Sequence, residues 1–176
     1  MNKEMVLTLT GHDRVGIVDE ITNVLVERGG NVETSRMARL GGEFAMLALV
    51  ALDEKDLPAL ETDFQKLRGE GFQITLLKTQ GDQAKKYAGW LPYQIEVFGA
   101  DHEGIIHEIA HHLAQQGINI EEMETTAEPA PMSGTPLFKM QATVLAPPQL
   151  PFHNWSDALQ EIGDKLNVHV TVAMVK

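Results

Sequence analysis

The chain has 176 residues, carries 25 Asp and Glu against 14 Lys and Arg for a formal net charge of −11, and contains no cysteine. That length holds one ordinary domain or two small ones, and an acidic surface repels a polyanion, which weighs against direct binding of nucleic acid. Without thiols there are no disulfides, and any metal is left to His, Asp and Glu.

The opening MNKEMVLTLT reads as a strand, since Met5, Leu7 and Leu9 alternate with polar or smaller residues. It lacks the basic start and apolar centre of a secretory leader, and no later run is long enough to span a bilayer, so a cytoplasmic protein without membrane contact is expected. Ile17, Ile21, Val24 and Leu25 have the spacing of one helix face, and Gly29-Gly30 supplies the stop. A hairpin follows, turning at Gly41-Gly42, with Phe44, Met46, Ala48 and Val50 on one face of its second strand. Leu57, Leu60, Phe64 and Leu67 predict a second helix, and FQITLLK a closing strand. The segment TQGDQAKKYAGWLP has the composition of a linker, with Trp90 expected to dock on one domain.

The same order then resumes. Tyr93, Ile95 and Val97 mark a strand; Ile105, Ile109 and Leu113 mark a helix stopped by Gly117. A hairpin with the longer turn EPAPMSGTP comes next, then a helix carrying Trp155, Leu159, Ile162 and Leu166, and the strand VHVTVAMV. The two halves are an internal repeat. Asp13 falls on Asp101, an offset of 88 that also maps Gly11 on Gly99, Gly16 on Gly104, Ile17 on Ile105, Glu20 on Glu108, Asn31 on Asn119 and Glu33 on Glu121. The run from Phe44 matches that from Phe138 at an offset of 94, the six extra residues falling in the longer turn. The expected fold class is α+β: two tandem ferredoxin-like βαββαβ domains, 1–80 and 92–176, joined by a linker at 81–91, each an antiparallel four-stranded sheet with two helices on one face. On the opposite face of the first sheet, Ala45, Leu47 and Leu49 leave an apolar patch with Val6 and Leu77 beside it. The second sheet carries Lys139, Gln141 and Thr143 there. The apolar face is expected to pack on another sheet, with a homodimer favoured.

Two motifs invite a chemical reading. HEIAHH contains the H-E-x-x-H pattern of zinc hydrolases, with His107, Glu108 and His111 in its three fixed positions. At about 100° per residue the apolar stripe Ile105, Ile109, Leu113 points one way and His107 and His111 roughly the other. The extended form would need a third His at position 117, which is Gly117. The pattern therefore reads as a solvated helix face, with a zinc metallohydrolase as the remote alternative, and neither a metal nor another cofactor is expected. The second motif is the repeated loop, TGHDRVGIVDE and GADHEGIIHE, which leads from strand to helix. A helix amino terminus offers unpaired N–H groups to a carboxylate, and Gly16 and Gly104 allow close approach. Asp13 and Asp101 could accept from an ammonium group or cap the helix. Asn31 and Asn119, which begin the next strand, are expected beside the loop. The alternative is purely structural: an N-cap, a tight turn and an Asn in left-handed backbone.

GHDRVGIV, the Asn after the helix stop and the twofold βαββαβ order resemble tandem ACT domains, and NVETSRMARLGGEF is similar to the glycine cleavage system transcriptional repressor family. The resemblance runs over essentially the whole chain. It implies a non-enzymatic, glycine-responsive repressor acting through a LysR-type activator rather than on DNA. It further implies a small amino acid, glycine or serine, held by Asp13, Gly16, Ile17, Val18 and Asn31, with a second site at Asp101, Gly104, Ile105, Ile106 and Asn119. A generic amino-acid-binding or structural ACT protein with another partner is the alternative. The family's usual D-R-P-G is D-R-V-G here, so Val15 lacks proline's fixed φ, and Asp101-His102-Glu103-Gly104 departs further by placing an acid near the carboxylate seat.

Overall fold

Alternation in the strands and helical spacing between them build the same unit twice in a computed structural model that describes residues 2–79, 85–131 and 134–175. The first unit contains β1 (Asn2–His12), α1 (Ile17–Glu27), β2 (Asn31–Leu40), β3 (Glu43–Asp53), a 3-10 turn at Glu54–Asp56, α2 (Leu57–Gly69) and β4 (Gln73–Lys78). The second contains β5 (Leu91–Ala100), α3 (Ile105–Gln115), β6 (Asn119–Pro129), β7 (Pro136–Ala146), α4 (Phe152–Lys165) and β8 (Val168–Met174). Strand orders are β2-β3-β1-β4 and β6-β7-β5-β8, antiparallel throughout. The chain divides into compact units 1–84 and 85–176. Of the linker expected at 81–91, residues 81–84 lie outside the described residues, and Leu91 already opens β5.

Each unit encloses its own core on the helix-bearing face of its sheet. Phe44, Met46, Ala48 and Val50 are buried against Ile17, Ile21, Leu25, Leu60 and Phe64, and Phe138, Met140, Ala142 and Val144 against Ile105, Ile109, Leu113, Trp155 and Leu159. At about 2 kcal/mol per large apolar side chain taken from water, these faces supply the main drive for folding. The six extra residues of the second hairpin are divided between strand and turn. Glu128 pairs with Leu137 as Leu40 pairs with Glu43, and one further pair, Pro129–Pro136, extends the ladder.

Both edge strands carry a β-bulge at the same place, between Val32 and Thr34 and between Ile120 and Glu122. The repeated Glu33 and Glu121 are therefore the inserted residues, which explains an equivalence that the sequence shows without a reason. The open faces differ as expected. On the first sheet, Leu49, Val6 and Leu77 share a row across three strands, Leu47 lies in the next, and Leu47 and Leu77 are 50% and 62% exposed. On the second, the corresponding rows hold Thr143, Gln94 and Ala173, then Glu124, Gln141, Glu96 and Thr171.

His107, Glu108 and His111 lie on the exposed side of α3, with the two rings stacked 5.8 Å apart and His111 hydrogen-bonded to Gln115. His112, next in line, is buried: its Nε2–H donates to the Trp155 carbonyl at 3.1 Å and ties α3 to α4. Among the described residues no cluster of three or more His, Asp or Glu could hold a metal ion, and no helix is long and apolar enough to cross a membrane.

Candidate functional site in the repeated loop

The loops after β1 and β5 turn into their helices in the same way. Gly16 (φ 92°) and Gly104 (φ 95°) are the N-caps, both in left-handed backbone that a side chain rarely adopts. Their carbonyls accept from Glu20 N–H and Glu108 N–H at 2.9 and 3.0 Å. No side chain caps either helix; the Ile17 N–H donates to the Arg14 carbonyl at 3.5 Å, and the first-turn N–H groups around Val18 and Ile105-Ile106 have no intrahelical partner. Val18 and Ile106 are exposed, while Ile17 and Ile105 anchor each turn in its core. This is the geometry of an anion seat, with the positive end of the helix dipole behind it.

Asp13 is not an N-cap. Its carboxylate meets Arg39 Nε, at the end of β2, at 2.8 Å, and its own N–H donates to the Gly42 carbonyl at 3.1 Å. Arg39 was not legible in the sequence: its counterpart at the 88-residue offset is Ala127, so the repeat does not mark it. Asp101 likewise ties its N–H to the second hairpin, through Pro136 at 2.9 Å.

Asn31 and Asn119 are not beside these loops, which corrects the expectation drawn from sequence. Asn31 pairs with Ala51, which pairs with Glu4 near the start of β1, whereas Asp13 follows the His12–Glu43 pair at its end. About nine residues of strand, roughly 30 Å, separate the two within one domain. The same holds for Asn119, level with Leu145 and Pro92, and Asp101, beyond Ala100–Leu137. The reason is topological: α1 and α3 run back along the sheet, so the residue after each helix lies at the opposite end from the loop before it. Neither Asn adopts left-handed backbone, since Gly29 and Gly117 already supply the positive φ.

The residue after the loop Asp reaches the same place in both units by different chemistry. Arg14 hydrogen-bonds Glu20 and also Glu70, the C-cap of α2, and its guanidinium lies 5.3 Å from the Phe72 ring centre. His102 donates from Nε2 to the carbonyl of Leu166, the C-cap of α4, at 2.7 Å, and from Nδ1 to the Glu103 carbonyl at 3.0 Å. Two carbonyl acceptors require two ring donors, so the imidazolium satisfies the site. The Leu166 hydrogen bond, then that of Glu103, and more weakly the charge of Asp101, raise its pKa above 6.5 against some loss of hydration. A raised folded-state pKa stabilises fully below about 6.5, and that contribution disappears as pH rises through the folded-state value. The second domain is expected to lose stability as pH rises above about 6.5 relative to a His102→Gln variant, measured by urea unfolding on both sides of neutrality. Parallel profiles for the two proteins would contradict the clamp.

Comparison with known proteins agrees with this architecture. Residues 3–75 match the ACT domain family model. The glycine cleavage system transcriptional repressor of Escherichia coli K12 is 24% identical over 171 residues, 97% of this chain and 90% of the relative. The UPF0237 protein of Methanopyrus kandleri is 41% identical over 79 residues, 44% of this chain and 87% of its own length. A crystal structure of an unknown protein from Galdieria sulphuraria is 34% identical, covers 100% of both chains and superposes with a TM-score of 0.85. The family model matches the first unit and the second repeats its βαββαβ order, so the chain is a tandem ACT-domain protein that resembles the glycine cleavage system transcriptional repressors.

Proposed function

We propose that the protein is a non-enzymatic, cytoplasmic amino-acid sensor that represses the glycine cleavage system in response to glycine, acting through a LysR-type activator rather than on DNA. The observation that carries the sensing role is the loop built twice, with a glycine N-cap and an uncapped first helical turn open to a carboxylate. Resemblance to the Escherichia coli repressor over 97% of the chain supports the regulatory role, and the net charge of −11 supports action through protein. Ile17, Val18 and Gly16 hold the ligand carboxylate through backbone N–H groups, and Asp13 receives the ammonium in exchange for Arg39. Ile105, Ile106, Gly104 and Asp101 form the corresponding second seat. Asn31 and Asn119 complete such a site only when supplied by another ACT domain placed against the loop. Co-purification of the protein with a LysR-type activator, changed by added glycine, tests the reading. An association indifferent to glycine would sink it and leave an ACT protein with another effector.

The active form is proposed to be a homodimer joined through the first sheet's open face. Hiding roughly 300 Å² of apolar surface is worth about 7 kcal/mol before the cost of association. Leu47→Lys, at the half-exposed centre of that face, is expected to halve the mass measured by light scattering without unfolding the domain. Wild-type mass and melting temperature in that variant would show that the face is not an interface.

A further inference from the structure

The first loop already holds a cation where the ligand's ammonium group is assigned. Arg39 stands opposite Phe44, on the helix-bearing face of the sheet, and its Nε lies 2.8 Å from the Asp13 carboxylate. The neighbouring charges are engaged elsewhere. Arg14, next in the chain, is held by Glu20 and Glu70, and Glu43, at the same hairpin turn, pairs with His12 at 2.6 Å. Asp13 is left to Arg39, while its N–H bond to the Gly42 carbonyl ties the loop to the turn that follows Arg39.

An ion pair of this kind opens readily. The Arg39 side chain is 67% exposed and that of Asp13 30%, so water competes for both charges and the pair holds by a small margin. The guanidinium is nevertheless tethered beside its partner, and it competes at a fixed, high effective concentration. A free amino acid has to displace it. The apparent Kd is then the intrinsic Kd divided by the fraction of molecules in which Asp13 is free. The second unit has no such device. Ala127 pairs with Phe138 as Arg39 pairs with Phe44, so the corresponding position carries only a methyl group. His102, beside Asp101, is turned to the carbonyls of Leu166 and Glu103. We propose that Arg39 is a tethered competitor for the ligand's ammonium group, setting the concentration at which the first loop fills, while the second loop is ungated. This rests on the reading of the first loop as an amino-acid seat.

Calorimetric titration of glycine into the full-length protein carrying Asp101→Ala, which removes the second seat, isolates the first loop. Adding Arg39→Ala is expected to tighten glycine binding about fivefold at low salt, with the melting temperature kept within about 4 °C. Arg39→Lys, which keeps a cation on the tether, should tighten it about twofold or less. The advantage of Arg39→Ala should fade at about 0.5 M salt, because the exposed pair is screened, whereas a change in loop shape alone would persist. Glycine bound equally tightly with and without Arg39, or more weakly once it is gone, would overturn the gate and leave the seat standing. An advantage unaffected by salt would overturn it too. Absence of heat from both proteins would refute the seat itself, and the gate with it.

Discussion

Gly99→Ala is expected to destabilise the second domain by about 3 kcal/mol, measured by urea unfolding followed by far-ultraviolet circular dichroism. A Cβ at Gly99 would stand 2.7 Å from Val168 Cγ1, 2.9 Å from Val168 Cα and 3.0 Å from the Asn167 carbonyl oxygen. Two of those atoms are backbone, so the added methyl displaces β8 rather than a side-chain tip. Gly11, its counterpart, faces the Phe72 ring, with the nearest atom 2.3 Å from the added Cβ. A ring can turn where a strand cannot, and Gly11→Ala is expected to cost about half as much. Equal costs, or a Gly99→Ala loss below about 1 kcal/mol, would show that the strand yields more easily than these distances imply.

Trp155→Ala is expected to cost about 3–5 kcal/mol, the range for emptying a large aromatic site in a packed core. Trp155 is 0% exposed and meets Tyr93 and Phe152 edge-on at 5.2 and 5.6 Å. Its Nε1 is buried without a hydrogen-bond partner among the described residues. Trp155→Phe therefore removes no hydrogen bond and should cost only about 1–2 kcal/mol, the price of the lost volume alone. The His112 bond to the Trp155 carbonyl survives both changes, because it is made to backbone. A Phe variant as unstable as the Ala variant would reveal a polar partner for the indole that this packing does not contain.

The fold was largely legible because burial imposes period two on strands and 3.6 on helices, and the chain states both twice. Phe44 to Val50 and Phe138 to Val144 mark the core-facing parity correctly for that reason. The repeat showed which positions correspond without showing why: Gly99 answers to a contact with Val168 across the sheet, and Glu121 to a bulge, and neither is a local pattern. The site was legible in part. The loop glycines were placed at the helix start, but Asn31 was joined to Asp13 by nearness in sequence, and the returning helix puts them at opposite ends of the sheet. Arg39 gave no signal, since a partner met only through tertiary structure leaves no spacing to read.

The central claim is that the first loop binds a small amino acid, and calorimetric titration of glycine into the full-length protein tests it most directly. Glycine has five heavy atoms, and a ceiling of about 1.5 kcal/mol per atom limits the gain to about 7.5 kcal/mol, a Kd no tighter than several micromolar. The exposed loop and the need to displace Arg39 from Asp13 place the expected value well above that limit. The account predicts saturable heat at millimolar glycine, weakened about fivefold or more by Asp13→Ala. Absence of heat with either glycine or serine at about 10 mM, or full affinity in Asp13→Ala, would contradict it.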